Sequence, residues 1–225
     1  MPGLVIEAPA TAEMSIMLQE VDGLTLRGAT LAHARGDGVL GYGGNILDSR
    51  NIVFDRVSVT DNVRGIVVNR SQGVTILNVT LFGLRTDGID IAASQRVIVD
   101  GATCRTFSPE DGDHPDCIQA WSNNDGIVSD VLITNVRVEG TMQGIFFGNA
   151  EDGGFDRVRI IDNVVVGGFP NGVAVHNCRA CELVGNAVST LTGSLYQARI
   201  VIQGGSVTTS GNRHAAYNGR PAWQD

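Results

Sequence analysis

A Gly followed by Ile or Val returns along the whole chain, and no other feature narrows the available folds as much. The pairs are Gly38-Val39, Gly65-Ile66, Gly88-Ile89, Gly144-Ile145 and Gly172-Val173, with Cys117-Ile118 and Arg199-Ile200 in the expected places. Successive members stand 27, 23, 29, 27, 28 and 27 residues apart. An Asp or Asn ahead of a short apolar pair keeps step with them, at Asp55, Asn78, Asp100, Asn135, Asn163 and Asn186. Two markers in register define a repeat whose units must stack to bury their apolar faces. Between the markers run short segments such as Asn51-Ile52-Val53-Phe54, Val74-Thr75-Ile76-Leu77 and Val131-Leu132-Ile133. That pattern is strands separated by turn residues. A leucine-rich repeat of similar length needs a Leu spacing and a helical segment that this chain lacks. The pattern therefore predicts an all-β, right-handed parallel β-helix of about seven coils stacked ~4.8 Å apart. Residues 1–212 make up the β-helix, with 1–20 a partial first coil, and residues 213–225 form a tail without the period.

Stacking turns the sequence into columns. Val39, Ile66, Ile89, Ile118, Ile145 and Val173 form an inward column, since one coil cannot bury its own apolar face. By strand alternation the next residues point outward: Leu40, Val67, Asp90, Gln119, Phe146 and Ala174. Two places on, a second outward column reads Tyr42, Asn69, Ala92, Trp121, Gly148 and His176. The corner before each Gly or its substitute holds Asp37, Arg64, Asp87, Asp116, Gln143 and Asn171.

Composition excludes several classes. The net charge of -8 disfavours nucleic acid as a partner, because phosphate binding needs clustered cations. All 16 basic residues are Arg, so no lysine serves as a catalytic base. No apolar stretch reaches membrane-spanning length, and Met1-Pro2-Gly3 does not open a signal peptide. A cell-surface, extracellular or virion-associated protein is expected ahead of a cytoplasmic one, exported by another route or as part of a longer chain. Of the four cysteines, Cys178-x-x-Cys181 alone is a weak zinc signal. Small buried thiols are the expectation for all four.

The repeat is broken by insertion between Asp100 and Asn135, with extra residues at Phe107 to His114 and again at Ser122 to Gly126. Solenoids carry function on loops that the stack does not require. Glu110-Asp111-Gly112-Asp113-His114-Pro115-Asp116-Cys117-Ile118-Gln119-Ala120-Trp121 gathers carboxylates, an imidazole, an amide and an aromatic ring beside one coil edge, above Thr86-Asp87-Gly88-Ile89-Asp90. Asp87 and Asp116 share the corner column on adjacent coils, so their backbones lie ~4.8 Å apart. Carboxylates that close resist joint ionisation unless a cation such as Arg64 compensates. The pair suits acid/base work on a glycosidic bond, or a bound Ca²⁺, although no cofactor is required. His114 is a candidate proton acceptor at a uronate C5, with Arg64 or Arg85 neutralising the carboxylate. Stacked Asp and Asn at solenoid corners also cap turns, a role that suits Asp37 and Asn171. His176 reads as an ordinary surface histidine.

At these residues the chain resembles the pectate-lyase-like β-helix superfamily of polysaccharide-acting proteins. Thr86-Asp87-Gly88-Ile89-Asp90-Ile91 is similar to one polygalacturonase signature, and Asp116-Cys117-Ile118 with Ser122 to part of the next. The resemblance implies that Asp87 and Asp116 stand where carboxylates orient the attacking water, while the general acid's place is taken by Pro115. The family's Gly-His-Gly and Arg-Ile-Lys motifs are absent. His114-Pro115-Asp116-x-Ile118-Gln119, with Met142-Gln143-Gly144-Ile145-Phe146, resembles bacterial β-helix repeat proteins of no assigned reaction.

The expected function is modification of an acidic or uronate-containing glycan by lyase, epimerase or hydrolase chemistry. Asp87, Asp113, His114 and Asp116 are the catalytic candidates. Arg64, Arg85, Asp90, Gln119, Trp121, Gln143 and Phe146 are the substrate-binding candidates. The rival is a non-catalytic glycan-binding β-helix of a fibre, spike or adhesin, in which Leu40, Val67 and Phe146 pack subunits into a homo-oligomer.

Overall fold

The computed structural model describes residues 4–9, 11–33, 41–149 and 153–214. Every strand pairing between named strands is parallel, and no helix occurs among the described residues. Each coil passes through three sheets. Sheet 1 runs through Met14–Gln19, Tyr42–Leu47, Arg64–Asn69, Ile89–Ala92, Asp116–Trp121 and Gln143–Asn149. Sheet 2 runs through Asp22–Arg27, Arg50–Asp55, Gln72–Leu77, Gln95–Asp100, Ser129–Thr134 and Phe155–Ile161. The long strands Asn171–Val184 and Arg199–Ser210 pass through both without a break. Sheet 3 begins at Val5–Ala8, contains Thr80–Phe82 and Thr103–Arg105, and ends at Arg213–His214. The molecule is a parallel β-helix.

The returning glycine has a steric cause. A Cβ at Gly65 would lie 2.1 Å from the carbonyl oxygen of Gly88, and one at Gly144 would lie 2.0 Å from that of Gly172. The corner backbones of adjacent coils therefore touch where a side chain would stand. At Gly88 the added atom would meet the Cys117 carbonyl at 2.5 Å and the sulfur of Cys104 at 3.3 Å, so this position points into the core. Cys117 occupies the same position one coil on, and its side chain is joined to Cys104 of sheet 3 by a disulfide. A second disulfide joins Cys178 to Cys181. Neither pair is free thiol, which corrects the expectation from sequence.

Ile66, Ile89, Ile118, Ile145 and Val173 form one fully buried stack, paired in register. Gly38, Val39, Leu40 and Asp37 lie outside the described residues. Gly44 pairs with Ile66 and Asn45 with Val67, so they stand where Val39 and Leu40 were expected. Tyr42 pairs with Arg64; it belongs to the corner column, and Leu47 takes its expected place beside Asn69. A register shift after Ala120 sets Trp121 opposite Asn149 rather than Gly148. Behind sheet 1 the core closes around fully buried aromatics, including Phe147 packed edge-on against Phe155 at 5.2 Å. Each such side chain contributes about 1.5–3 kcal/mol by leaving water.

Candidate functional site

The turns from sheet 3 into sheet 1 differ most in length from coil to coil. The coil of Thr103–Arg105 takes residues 106–115 to make that turn, whereas Arg137–Gly140 reaches Gln143–Asn149 through two residues. Both insertions read from sequence flank the same sheet 1 strand, Asp116–Trp121, one at each end. Loop 106–115 is held at three points. Phe107 is buried in the core, the Ser108 amide donates to the Leu84 carbonyl at 2.7 Å, and the Cys104–Cys117 disulfide closes its base. Arg85 adds a two-pronged pair to Asp113, at 2.8 and 3.2 Å, and reaches Glu110 at 3.1 Å. That guanidinium holds the Asp113 carboxyl below the usual carboxylate range.

Beneath this loop three carboxylates converge. Asp87 and Asp116 are corner neighbours, as their column predicts: the Asp116 amide donates to Asp87 Oδ1 at 3.1 Å. Asp90 points outward from the strand Ile89–Ala92 that follows Asp87, paired with Val67 on one side and Gln119 on the other. Relative exposure is 5% at Asp87, 1% at Asp90 and 0% at Asp116. Arg64 spans two of them, with Nη1 at 3.4 Å from Asp90 and Nε at 3.7 Å from Asp87. Its guanidinium also lies over the Tyr42 ring, 5.9 Å from the centroid. Asp90 Oδ1 and both oxygens of Asp116 have no hydrogen-bond partner among the described residues.

Burial is the first cause of raised pKa at all three. At Asp87 the Arg64 charge and the Asp116 amide offset part of it. Asp116 has no such relief: the Asp87 and Asp90 charges push it further, well above the ordinary range. Asp90 is raised similarly, by burial and then Asp87, against Arg64. Desolvation and like charges both favour the neutral acid, so all three carboxyls hold their protons to higher pH than a free carboxyl does, Asp90 and Asp116 more so than Asp87. No three His, Cys, Asp or Glu among the described residues are arranged to hold a metal ion.

The remaining candidates fall into two groups. Gln119 and Phe146 lie half-buried in the outward column beside Asp90. The Phe146 ring lies across Gly148, where an added Cβ would fall 1.9 Å from its Cζ. His176 meets that ring edge-on at 5.8 Å, and its Nδ1 sits 3.3 Å from the Gly148 carbonyl. His176, read from sequence as an ordinary surface histidine, thus lies half-buried in an aromatic patch on sheet 1. Trp121 flanks the patch in the second outward column, half-buried. Gln143 accepts from the Asn171 amide in the corner column. His114 is exposed on the loop, close enough to act electrostatically on Asp87 and Asp113.

Tyr42 was missed by the sequence reading because the first corner was placed at Gly38. Serines carry the signal that would have found it. Ser49, Ser71 and Ser94 form a buried ladder, each amide bonding the next hydroxyl at 3.0 Å, and each follows its corner glycine, Gly43, Gly65 or Gly88, by the same interval.

No protein-family model matches the chain, and no curated protein matches it by sequence. Solved structures do. PfbA, a surface protein and adhesin of Streptococcus pneumoniae, superposes with a TM-score of 0.67 at 10% identity over 93% of this chain and 64% of that one. A second PfbA structure gives 0.62 at 8% identity, over 89% and 59%. The chain thus spans less than two thirds of the length of these relatives. An alginate lyase from Paenibacillus sp. str. FPU-7 is also similar, with a TM-score of 0.41 at 13% identity over 92% of this chain and 98% of that one. The PfbA likeness agrees with the chain's continuous parallel coils and shows the parallel β-helix fold.

Proposed function

We propose that this chain is a glycan-acting β-helix that hydrolyses a glycosidic bond at the Asp87–Asp90–Asp116 corner. The observation that carries this reading is the division of one buried cluster into a carboxylate relieved by Arg64 and one relieved by nothing. Groups whose environments push their pKa values apart are the acid and base of a two-carboxylate hydrolysis. Asp116, protonated, gives its proton to the glycosidic oxygen as the C–O bond breaks. Asp87, ionised, takes a proton from the water whose oxygen bonds the anomeric carbon. With Pro115 standing where the resembled family has its general acid, Asp116 supplies that function one residue on. Gln119, Phe146, His176 and Trp121 form the floor along which the glycan lies.

Elimination and epimerisation at a uronate are the weaker reading. Both need a cation to neutralise the sugar carboxylate, yet Arg85 is occupied by Asp113 and Glu110, and Arg64 by Asp87 and Asp90. Two disulfides fit an oxidising compartment, which agrees with a cell-surface or secreted protein. The complete burial of Asp116 favours one rival, a glycan-binding adhesin in which the cluster is never reached; PfbA, the adhesin with this fold, is the precedent.

A panel of neutral glucans, pectate, alginate and bacterial capsules separates these readings. New reducing ends without an ultraviolet-absorbing unsaturated product report hydrolysis. An unsaturated product would overturn the proposal in favour of elimination, and binding without new ends would favour the adhesin.

A further inference from the structure

The corner column continues past the carboxylates, and what lies along it changes character. Asp116 pairs with Gln143, Gln143 is bonded to Asn171, and Asn171 pairs with Arg199. The turns leading into the last three of these positions enclose a cavity of about 330 Å³, lined by Thr141, Gly168, Phe169 and residues 191–196. Phe169 and Tyr196 stack there, with centroids 6.2 Å apart and planes within 22°. Leu195 and Tyr196 are 90% and 53% exposed. Gly168 allows the approach of the two walls, since a Cβ there would lie 3.2 Å from Ser194 Oγ and 3.3 Å from Thr141 Cα. No charged residue lines the cavity.

We infer that this cavity is a second glycan subsite, which takes an uncharged pyranose ring of the chain whose scissile bond lies over Asp116. The inference rests on the glycan reading above and narrows it. An exposed tyrosine backed by a parallel phenylalanine presents a fixed aromatic face, and hydroxyl-bearing Thr141 and Thr192 rim the cavity. That combination suits the C–H face and the equatorial hydroxyls of a neutral sugar. A uronate, a sulfated sugar or a charged peptide segment would find no counter-charge. The alignment sets the distance: Phe169 turns into the coil two steps from Asp116, and Tyr196 into the coil three steps away, or about 10 and 14 Å along the axis at ~4.8 Å per coil. The ligand must therefore be an oligosaccharide several units long, neutral at the end over Tyr196, and disaccharides cannot reach both sites.

The test titrates neutral cello-, laminari- and manno-oligosaccharides, disaccharide through hexasaccharide, and the corresponding oligogalacturonates, into the intact chain, Tyr196→Ala and Asp116→Asn. The wild type and Asp116→Asn should both gain about tenfold in affinity as a neutral oligomer grows long enough to reach the cavity, the magnitude of one aromatic contact. Tyr196→Ala should bind short oligomers normally and lack that gain. Equal length dependence in Tyr196→Ala and wild type would overturn the subsite while leaving the glycan reading intact, provided the short oligomers bind. A Tyr196-dependent gain for oligogalacturonates alone would overturn its neutrality. Failure of every oligosaccharide to bind the wild type would overturn both readings. A dimeric wild type that Leu195→Asp converts to monomer with unchanged affinity would make the patch a subunit contact instead.

Discussion

Two of the stacks of polar side chains buried in this solenoid are finished in opposite ways. At the turn from sheet 2 to sheet 3, Asn163, Asn186 and Asn212 form a ladder. Asn163 Nδ2 donates to Asn186 Oδ1 at 2.9 Å and Asn186 Nδ2 to Asn212 Oδ1 at 2.9 Å. The amides also reach the carbonyls of Ile133, Ile160 and Leu183 at 3.2, 2.8 and 2.8 Å. Asn163 and Asn186 are fully buried, and the backbone amides of Val136, Asn163 and Asn186 bond the side-chain oxygens. Where sheet 3 turns into sheet 1, Asp87, Asp90 and Asp116 are also buried, yet three of their oxygens have no partner among the described residues. A satisfied polar ladder stabilises a fold, whereas orphaned buried acceptors cost about 1–3 kcal/mol each. The ladder is the solenoid's scaffold, and the unsatisfied cluster is where the proposed chemistry belongs.

The largest expected effect comes from giving the ladder the chemistry of the cluster. Asn186→Asp removes both donated bonds and sets a carboxylate against the Ile160 carbonyl. Stability should fall by about 3 kcal/mol or more, the sum of two broken buried bonds, measured by urea denaturation. A loss below about 1 kcal/mol would mean that the ladder is not the scaffold described.

The reverse change should do the reverse. Asp116→Asn should lower turnover on the responsive glycan by ~10²-fold or more, as for a removed general acid, and raise the midpoint of thermal unfolding at neutral pH. The sign follows from linkage. The three carboxyls have pKa values above their unfolded value of 3.8, so the native state binds more protons than the unfolded chain between the two values. Stability conferred by the protonated cluster is therefore fully present below pH 3.8 and is lost as pH rises through the folded pKa values. Asp113, whose pKa is lowered, contributes with the opposite sign and is lost at low pH. In Asp116→Asn the decline toward neutral pH should flatten. A variant that is both inactive and less stable at neutral pH would make Asp116 a structural residue like Asn186.

How much of this contrast could be read from sequence follows from what repeats. Corner glycines recur because carbonyls of the next coil occupy the space of a side chain, so Gly65, Gly88 and Gly144 announce the fold. Cys117 fits the same position because a side chain there points at Cys104, but sequence shows only the vacancy in the pattern, not the partner. Asp87 and Asp116 were legible as neighbours since both precede the repeat marker. Asn163 and Asn186 were grouped with Asn78 and Asn135, although Asn78 and Asn135 take positive φ one residue earlier in the turn; an Asn suits both positions, and only backbone geometry separates them. Tyr42 was lost because Gly38 offered a competing register. The pairing of Arg85 with Asp113 was not legible at all, since a loop outside the repeat has no register.

The smallest expected effect tests whether Arg64 is what divides the cluster. Its charge lowers the Asp87 and Asp90 pKa values, whereas burial and the Asp87 and Asp90 charges set that of Asp116. Arg64→Gln should therefore raise the Asp87 pKa and leave that of Asp116 nearly in place. In a bell-shaped pH–rate profile the acidic limb reports the base and the alkaline limb the acid. The acidic limb should move to higher pH, the alkaline limb should stay, and the bell should narrow from one side. Arg85→Gln supplies the comparison: it frees Asp113 and loosens loop 106–115, and because Asp113 acts on Asp87 more weakly than Arg64 does, it should lower turnover at every pH and move the acidic limb less than Arg64→Gln does. If Arg64→Gln lowered the whole profile without shifting the acidic limb, Arg64 would be a substrate contact rather than the group that keeps Asp87 ionised, and the distinction between the two carboxylates would have to come from burial alone.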